Sequence, residues 1–272
     1  MGSDQGDINN DGFIDLFVAD MATTTHVKDQ NSIAESRERD EESDNSPGAQ
    51  KLHRSALLLN TGTGHFREAA FLAGVAKTNW TWSPRLEDLD NDGRLDLFVT
   101  NGFNRDPNPD VNSSAIRVET AAERIKVLYN SPVLVETHLA FRNLGDLGFE
   151  EVGAAWGLDK NGVSFGAAFG DLSGDGNLDL VYTNYEGCVT VLRNGCDTGH
   201  VVNVDLRGTV SNRFGVGATV RIESALGVQV RQLMLARGYM SSSEPMVHFG
   251  LGADTAIRRM TVTWPSGHVQ AF

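Results

Sequence analysis

DINNDGFID, residues 7–15, returns as DLDNDGRLD at 88–96 and as DLSGDGNLD at 171–179. Carboxylates packed this densely repel one another, so each loop destabilises the compact state unless a cation neutralises it, with solvated acidic turns as the plainer reading. Alternate positions of a tight loop aim side chains at one point, and glycine at position six allows the sharp turn. Six to eight oxygen ligands in that arrangement suit Ca²⁺, a hard cation. The first loop offers Asp7, Asn9, Asp11 and Asp15 with the carbonyl of Phe13. The second offers Asp88, Asp90, Asp92 and Asp96 with the carbonyl of Arg94. The third offers Asp171, Ser173, Asp175 and Asp179 with the carbonyl of Asn177, and its serine makes it the weakest expected site. Up to three Ca²⁺ are expected, which would bring the formal net charge from −13 to −7.

An EF-hand loop needs an acidic ligand at position twelve. Here that position holds Val18, Val99 and Tyr182, and Asp at position nine takes the place of the distant acid. The flanks also read as strands. DLFVAD, DLFVTN and DLVYTN follow the three loops and are short, β-branched and aromatic-rich.

The loops start 81 and 83 residues apart, and the repeat extends beyond them. NTGTGHFREAAFLAG begins at Asn60 and NLGDLGFEEVGAAWG at Asn143, each 28 residues before the next loop. Polar inserts lengthen the period near 22–52 and 104–136. In the second, Val118, Ala121, Ala122, Ile125 and Leu128 fall at helical spacing, with Ser114 as an expected N-cap and Pro132 as a stop. Without the inserts the unit is roughly 50 residues, the length of a propeller blade, and each unit reads as four short strands.

From about His200 the pattern changes. VVNVDLRG, GATVRIES, VQVRQLML, PMVHFGLG and RRMTVTWPSG read as five strands of a small β-sandwich or half-barrel. The expected architecture is therefore all-β: a partial β-propeller of about three blades over 1–198, then a small β-sandwich-like domain over 199–272. Tyr239, His248 and Trp264 are candidates for a ligand surface there, with core or edge packing the plainer reading.

DINNDGFIDLFVAD, DLDNDGRLDLFVTN and DLSGDGNLDLVYTN resemble the FG-GAP/VCBS repeats of integrin-α-type propellers. NRFGVGATVRI, ARGYMSSSEPMVHFGLG and MTVTWPSG resemble the ASPIC/UnbV domain of the cartilage acidic protein 1-like family. The resemblance implies a calcium-binding propeller that is extracellular or at the cell surface. It also implies a non-catalytic role in adhesion or in binding an unknown protein or glycan. A Ca²⁺-stabilised propeller enzyme acting on polysaccharides is the alternative. Such propellers have about seven blades, so three loops and a start opposite Trp82 and Phe165 suggest a piece of a longer protein.

Other features narrow the class. A net charge of −13 argues against nucleic acid or an anionic membrane as the partner, and no apolar run approaches 18 residues. Cys188 and Cys196 could close a small loop or stay as free thiols. GVSFG at 162–166 matches a nucleophile-elbow pattern but lacks its strand–turn–helix setting. Asn79 and Asn112 sit in glycosylation sequons.

Overall fold

Every acidic loop joins the first two strands of a β-sheet. The computed structural model describes residues 1–25, 53–106 and 120–272. The first sheet runs in the order β1 (Ser3–Gly6), β2 (Asp15–Val18), β4 (Ala56–Asn60), β5 (Phe66–Glu68). The second uses β6 (Asn79–Glu87), β7 (Asp96–Asn101), β9 (Leu139–Gly145) and β10 (Gly148–Glu151), and β3 (Met21–Ala22) pairs with the start of β6. The third uses β12 (Ser164–Gly170), β13 (Asp179–Asn184) and β14 (Thr190–Leu192). All pairings are antiparallel. These are three blades of a partial propeller.

The blades pack by a repeated register. Ile8, Phe17 and Leu57 of the first blade are buried against Leu86, Leu95, Leu97 and Val99 of the second. Leu89, Phe98 and Ala140 occupy the same positions in the second blade and bury against Phe169, Leu178, Leu180 and Tyr182 of the third. The corresponding Leu172 and Val191 of the third blade are 61% and 59% exposed. One residue thus changes from core to surface solely by whether a blade follows it.

Two expectations need correcting. The third blade has three strands, not four, because after β14 the chain turns at Asn194 and leaves for the next sheet. The helical insert forms α1 (Ala121–Asn130), capped not by Ser114 but by Thr120. Thr120 Oγ1 accepts from Glu123 N–H at 3.3 Å and the Glu123 carboxylate accepts from Thr120 N–H at 3.0 Å, a reciprocal capping box. Ser114, Val118 and most of the 22–52 insert lie outside the described residues. A short α2 (Gly153–Trp156) follows β10, and β8 (Glu136–Thr137) pairs with β11 (Asn161–Gly162).

The C-terminal part has six strands, not five. β15 (His200–Asp205) pairs with β18 (Met246–Gly252), and β17 (Gly227–Gln232), β16 (Thr219–Ser224), β19 (Arg259–Thr263) and β20 (Val269–Ala271) form a second sheet. Val220 and Ile222 alternate inward along β16 and join Phe249, Leu251 and Val262 in a separate core. β20 is the added strand, and its three residues are too few to show alternation in sequence.

The connection from β17 to β18 crosses the first strands of all three blades. Gly238 N–H donates to Ser3 O at 2.8 Å, Tyr239 N–H to Ser83 Oγ at 3.1 Å, and Ala167 N–H to Ser241 Oγ at 3.0 Å. Arg237 forks onto Asp4 at 2.7 and 2.8 Å and reaches Glu87 at 2.7 Å. Arg85, fully buried, also pairs with Glu87 at 3.0 Å. Such a network contributes to stability only while every member keeps its partners, so it fixes one docking arrangement of the two parts.

Candidate metal centre

The three loops share one backbone solution. Position four lies in the left-handed region as Asn10 (φ 55°), Asn91 (φ 60°) and Gly174 (φ 74°), and position six as Gly12, Gly93 and Gly176 (φ 93°, 90° and 95°). Asparagine and glycine are the residues that tolerate that region. The resulting curl turns the amides inward. Asp7 accepts from Asp11 and Gly12 N–H at 3.0 and 2.9 Å. Asp88 does the same with Asp92 and Gly93 at 3.1 and 2.8 Å, and Asp171 with Asp175 and Gly176 at 3.1 and 2.9 Å. At position five, Asp11, Asp92 and Asp175 accept from the amides of Phe13, Arg94 and Asn177 at 2.9, 3.0 and 3.0 Å. Asn9 Oδ1 accepts from Asp11 N–H at 3.2 Å. Ser173 N–H donates to Asp179 at 3.1 Å.

Position nine ties each loop to its own blade. Asp15 accepts from Ile8 and Asn60 N–H at 2.9 and 2.8 Å. Asp96 accepts from Leu89 and Asn143 N–H at 3.0 and 2.9 Å, and Asp179 from Leu172 and Asn194 N–H at 3.0 and 2.8 Å. The side chain of that Asn then staples neighbouring blades. Asn143 Nδ2 donates to Ile8 O of the preceding loop at 2.9 Å, and Asn194 Nδ2 to Leu89 O at 2.9 Å. Asn60 and Asn143 stand out in the repeat as sequence. Asn194 does not, because the third blade has no insert and its Asn follows much sooner after the loop.

The loops differ in closure. Among the described residues, Asp88, Asp90 and Asp96 are the one acidic set whose ligand atoms all lie within 4.8 Å of one another. Asp88 and Asp96 are buried, and Asp90 Oδ1 is buried with no hydrogen-bond partner. Burial pushes the Asp88 carboxyl up to about 7 and that of Asp96 well above the ordinary range. Burial, and then the neighbouring Asp92, raise Asp90. In the first loop Asp7 and Asp15 are buried, and desolvation lifts Asp7 to about 6 and raises Asp15. In the third loop Asp175 is open to solvent and its hydrogen bond to Arg193 holds it down at about 2.

The central loop fits a cation. Its donors are all hard carboxylate oxygens, one of them orphaned, on groups that burial leaves costly to ionise alone. Asp88, Asp90 and Asp96 would hold the ion, which would supply the positive charge that makes their ionisation favourable.

The C-terminal part closes over this loop. Gly250 N–H donates to Asp88 at 3.1 Å and Gly252 N–H to Asn91 O at 2.8 Å. His248 lies between Asn91 Oδ1 at 3.2 Å and Asn203 Oδ1 at 2.9 Å. It is therefore a buried bridge. Trp264 packs on the C-terminal core and Tyr239 meets Trp82 edge-on, so the three residues do not form one ligand surface.

The remaining candidates are structural. Ser164 is buried, its Oγ accepting from His138 Nε2 at 2.9 Å and donating to Asn184 Oδ1 at 2.8 Å. His138 Nδ1 accepts from Asn101 N–H at 3.1 Å, so the ring proton sits on Nε2 and the imidazole offers Ser164 no basic lone pair. Asn79 is buried and its Oδ1 accepts from both the amide and the hydroxyl of Thr24 at 3.1 and 2.8 Å, which closes that sequon in the folded chain. Asn112 lies outside the described residues. Cys188 and Cys196 are free thiols.

Fold and loops together define an all-β protein built from acidic-loop propeller blades and capped by a second β unit. Comparison with known proteins agrees. Residues 43–99 match the FG-GAP-like repeat and residues 208–272 the ASPIC and UnbV family. The chain is homologous to cartilage acidic protein 1. It is 29% identical to the Mus musculus protein over 184 residues, covering 66% of this chain and 25% of that protein. The Xenopus tropicalis protein is 28% identical over 222 residues, covering 80% of this chain and 30% of that protein. The chain thus spans less than a third of the length of these relatives.

Proposed function

We propose that the acidic loops bind Ca²⁺ and that this chain is the ion-stabilised propeller portion of an extracellular or cell-surface protein that engages a protein or glycan without catalysing a reaction. The observation that carries the ion reading is the orphaned, buried Asp90 Oδ1 within the Asp88–Asp90–Asp96 set. The homology to cartilage acidic protein 1 supports the extracellular setting. The ion would tie the first two strands of a blade together, so binding energy would add to fold stability.

Thermal unfolding in excess Ca²⁺, excess Mg²⁺ and chelator tests this. A transition raised by Ca²⁺ and not by Mg²⁺ is expected, since Mg²⁺ demands a tighter octahedral shell and dehydrates reluctantly. Identical curves in all three would end the ion reading.

A further inference from the structure

The stapling residues of the three blades share one side-chain geometry. Asn60 Oδ1 accepts from Gly62 N–H at 3.0 Å, Asn143 Oδ1 from Gly145 N–H at 2.9 Å and Asn194 Oδ1 from Cys196 N–H at 2.9 Å. Each side chain therefore curls over the peptide that follows it, as in an Asx turn. They differ in the next residue, which is Thr61, Leu144 or Gly195.

The fold does not require glycine at 195. Its φ lies outside the left-handed region, and a Cβ there would meet nothing within 4 Å. Among the described residues nothing accepts from the Gly195 N–H. The other two Asn-Gly pairs of the sequence are tied down. Asn101 is buried and Gly102 N–H donates to Trp80 O at 3.2 Å, while Asn161 and Gly162 make up β11, which pairs with β8.

We propose that Asn194–Gly195 is a site of spontaneous deamidation and that the modification releases the third blade from the second. A glycine nitrogen has no Cβ beside it to hinder attack. The Gly195 nitrogen gives up its proton and bonds to Asn194 Cγ. The Cγ–Nδ2 bond breaks, Nδ2 takes the proton and leaves as ammonia, and a succinimide remains. One water then opens the ring at either carbonyl, giving aspartate or isoaspartate. The Cys196 N–H on Oδ1 stabilises the charge that builds there during attack.

The product cannot hold the blade. Asn194 Nδ2 is the donor to Leu89 O at 2.9 Å, and a carboxylate in its place would face that carbonyl as a second acceptor. Isoaspartate also lengthens the main chain by one carbon where it leaves for the C-terminal part. That stretch is pinned, since Cys196 O accepts from Asn177 Nδ2 at 3.1 Å and Thr198 O from Asn91 Nδ2 at 3.4 Å.

The experiment incubates the whole chain at mildly alkaline pH and follows amide-to-acid conversion at each Asn by mass spectrometry of digests. Conversion at Asn194 is expected to be about tenfold faster than at Asn60 or Asn143, the change that a barrier lower by ~1.4 kcal/mol brings. Gly195→Ala, which the open space at that position accepts, is expected to slow Asn194 to the rate of the other two. The urea midpoint of the wild type is expected to fall during incubation toward that of Asn194→Asp, and that of Gly195→Ala to stay constant. The incubated wild type starts folded, so its midpoint is followed even where Asn194→Asp does not fold. Equal rates at the three Asn, or an unchanged rate in Gly195→Ala, overturns the site. Conversion at Asn194 without a fall in midpoint overturns the release of the third blade.

Discussion

Asp90 and Asp96 belong to one loop but are held differently. Asp96 is buried and satisfies the Leu89 and Asn143 amides, whereas Asp90 leans on the half-exposed Arg142. Removing Asp96 orphans two buried donors at ~1–3 kcal/mol each. Asp96→Ala is therefore expected to cost ~2–6 kcal/mol in chelator as well as in Ca²⁺. Asp90→Ala, which removes an ion pair to a half-exposed arginine, should cost only ~0–1 kcal/mol in chelator and abolish the central loop's share of the Ca²⁺ increment. Urea unfolding with and without Ca²⁺ reads both; equal losses for the two variants in chelator would refute the division of labour. The same burial sets a pH dependence. Asp88 and Asp7 titrate near about 7 and about 6 when folded without an ion, against ~3.9 unfolded. Their folded pKa values are raised, so the folded state holds protons that the unfolded state has released. Their contribution to stability is greatest below about pH 4 and is lost as pH rises to about 7. A bound cation reverses the preference, so the gap between Ca²⁺ and chelator melting temperatures should widen from pH 5 to 7. A constant gap would contradict it.

At the scale of the element, the loop is held by its blade and by the blade behind it. Asn143 carries both attachments: its Nδ2 reaches Ile8 O and Leu95 O at 2.9 and 3.1 Å, and its Oδ1 accepts from Gly145 N–H at 2.9 Å. Asn143→Ala removes three hydrogen bonds, two of them buried, at ~0.5–1.5 kcal/mol each. A lower urea midpoint with an unchanged m value is the expected result, and a shift within error would show that the staple contributes nothing. The loop geometry was legible in the sequence because its causes are local: glycine and asparagine at fixed offsets and period-two strands after them. Thr120 was legible in principle, since Thr-Ala-Ala-Glu is a capping box, but the apolar spacing pointed six residues earlier, to Ser114. Asn194 is not legible in the repeat because spacing changes with insert length while hydrogen bonding does not. The open third blade was equally invisible, since Leu172 looks like Ile8 and Leu89 in sequence and differs only in what lies beside it.

At the scale of the molecule, no local signal announced that the C-terminal part would close over the central loop. In three dimensions the first glycine of GLG, residues 250–252, is a steric requirement. A Cβ at Gly250 would lie 2.2 Å from Asp88 Oδ2 and 2.5 Å from the Asn91 carbonyl carbon. Both are parts of the loop itself, so Gly250→Ala must push the C-terminal sheet off the candidate ion site. Gly12 provides the contrast. Its Cβ would meet nothing within 4 Å, and substitution there costs only the strain of φ 93°, ~1–2 kcal/mol. The bond from Gly252 N–H to Asn91 O, at 2.8 Å, reports docking directly. Hydrogen exchange at Gly252 should accelerate in Gly250→Ala and remain slow in Gly12→Ala. Chelator should accelerate it in the wild type as well, because uncompensated carboxylates at Asp88, Asp90 and Asp96 loosen the surface on which the sheet rests. Exchange at Gly252 that ignores both Gly250→Ala and chelator would mean that docking is carried by the Arg237–Asp4–Glu87 network alone, and that the ion site and the C-terminal part are energetically independent.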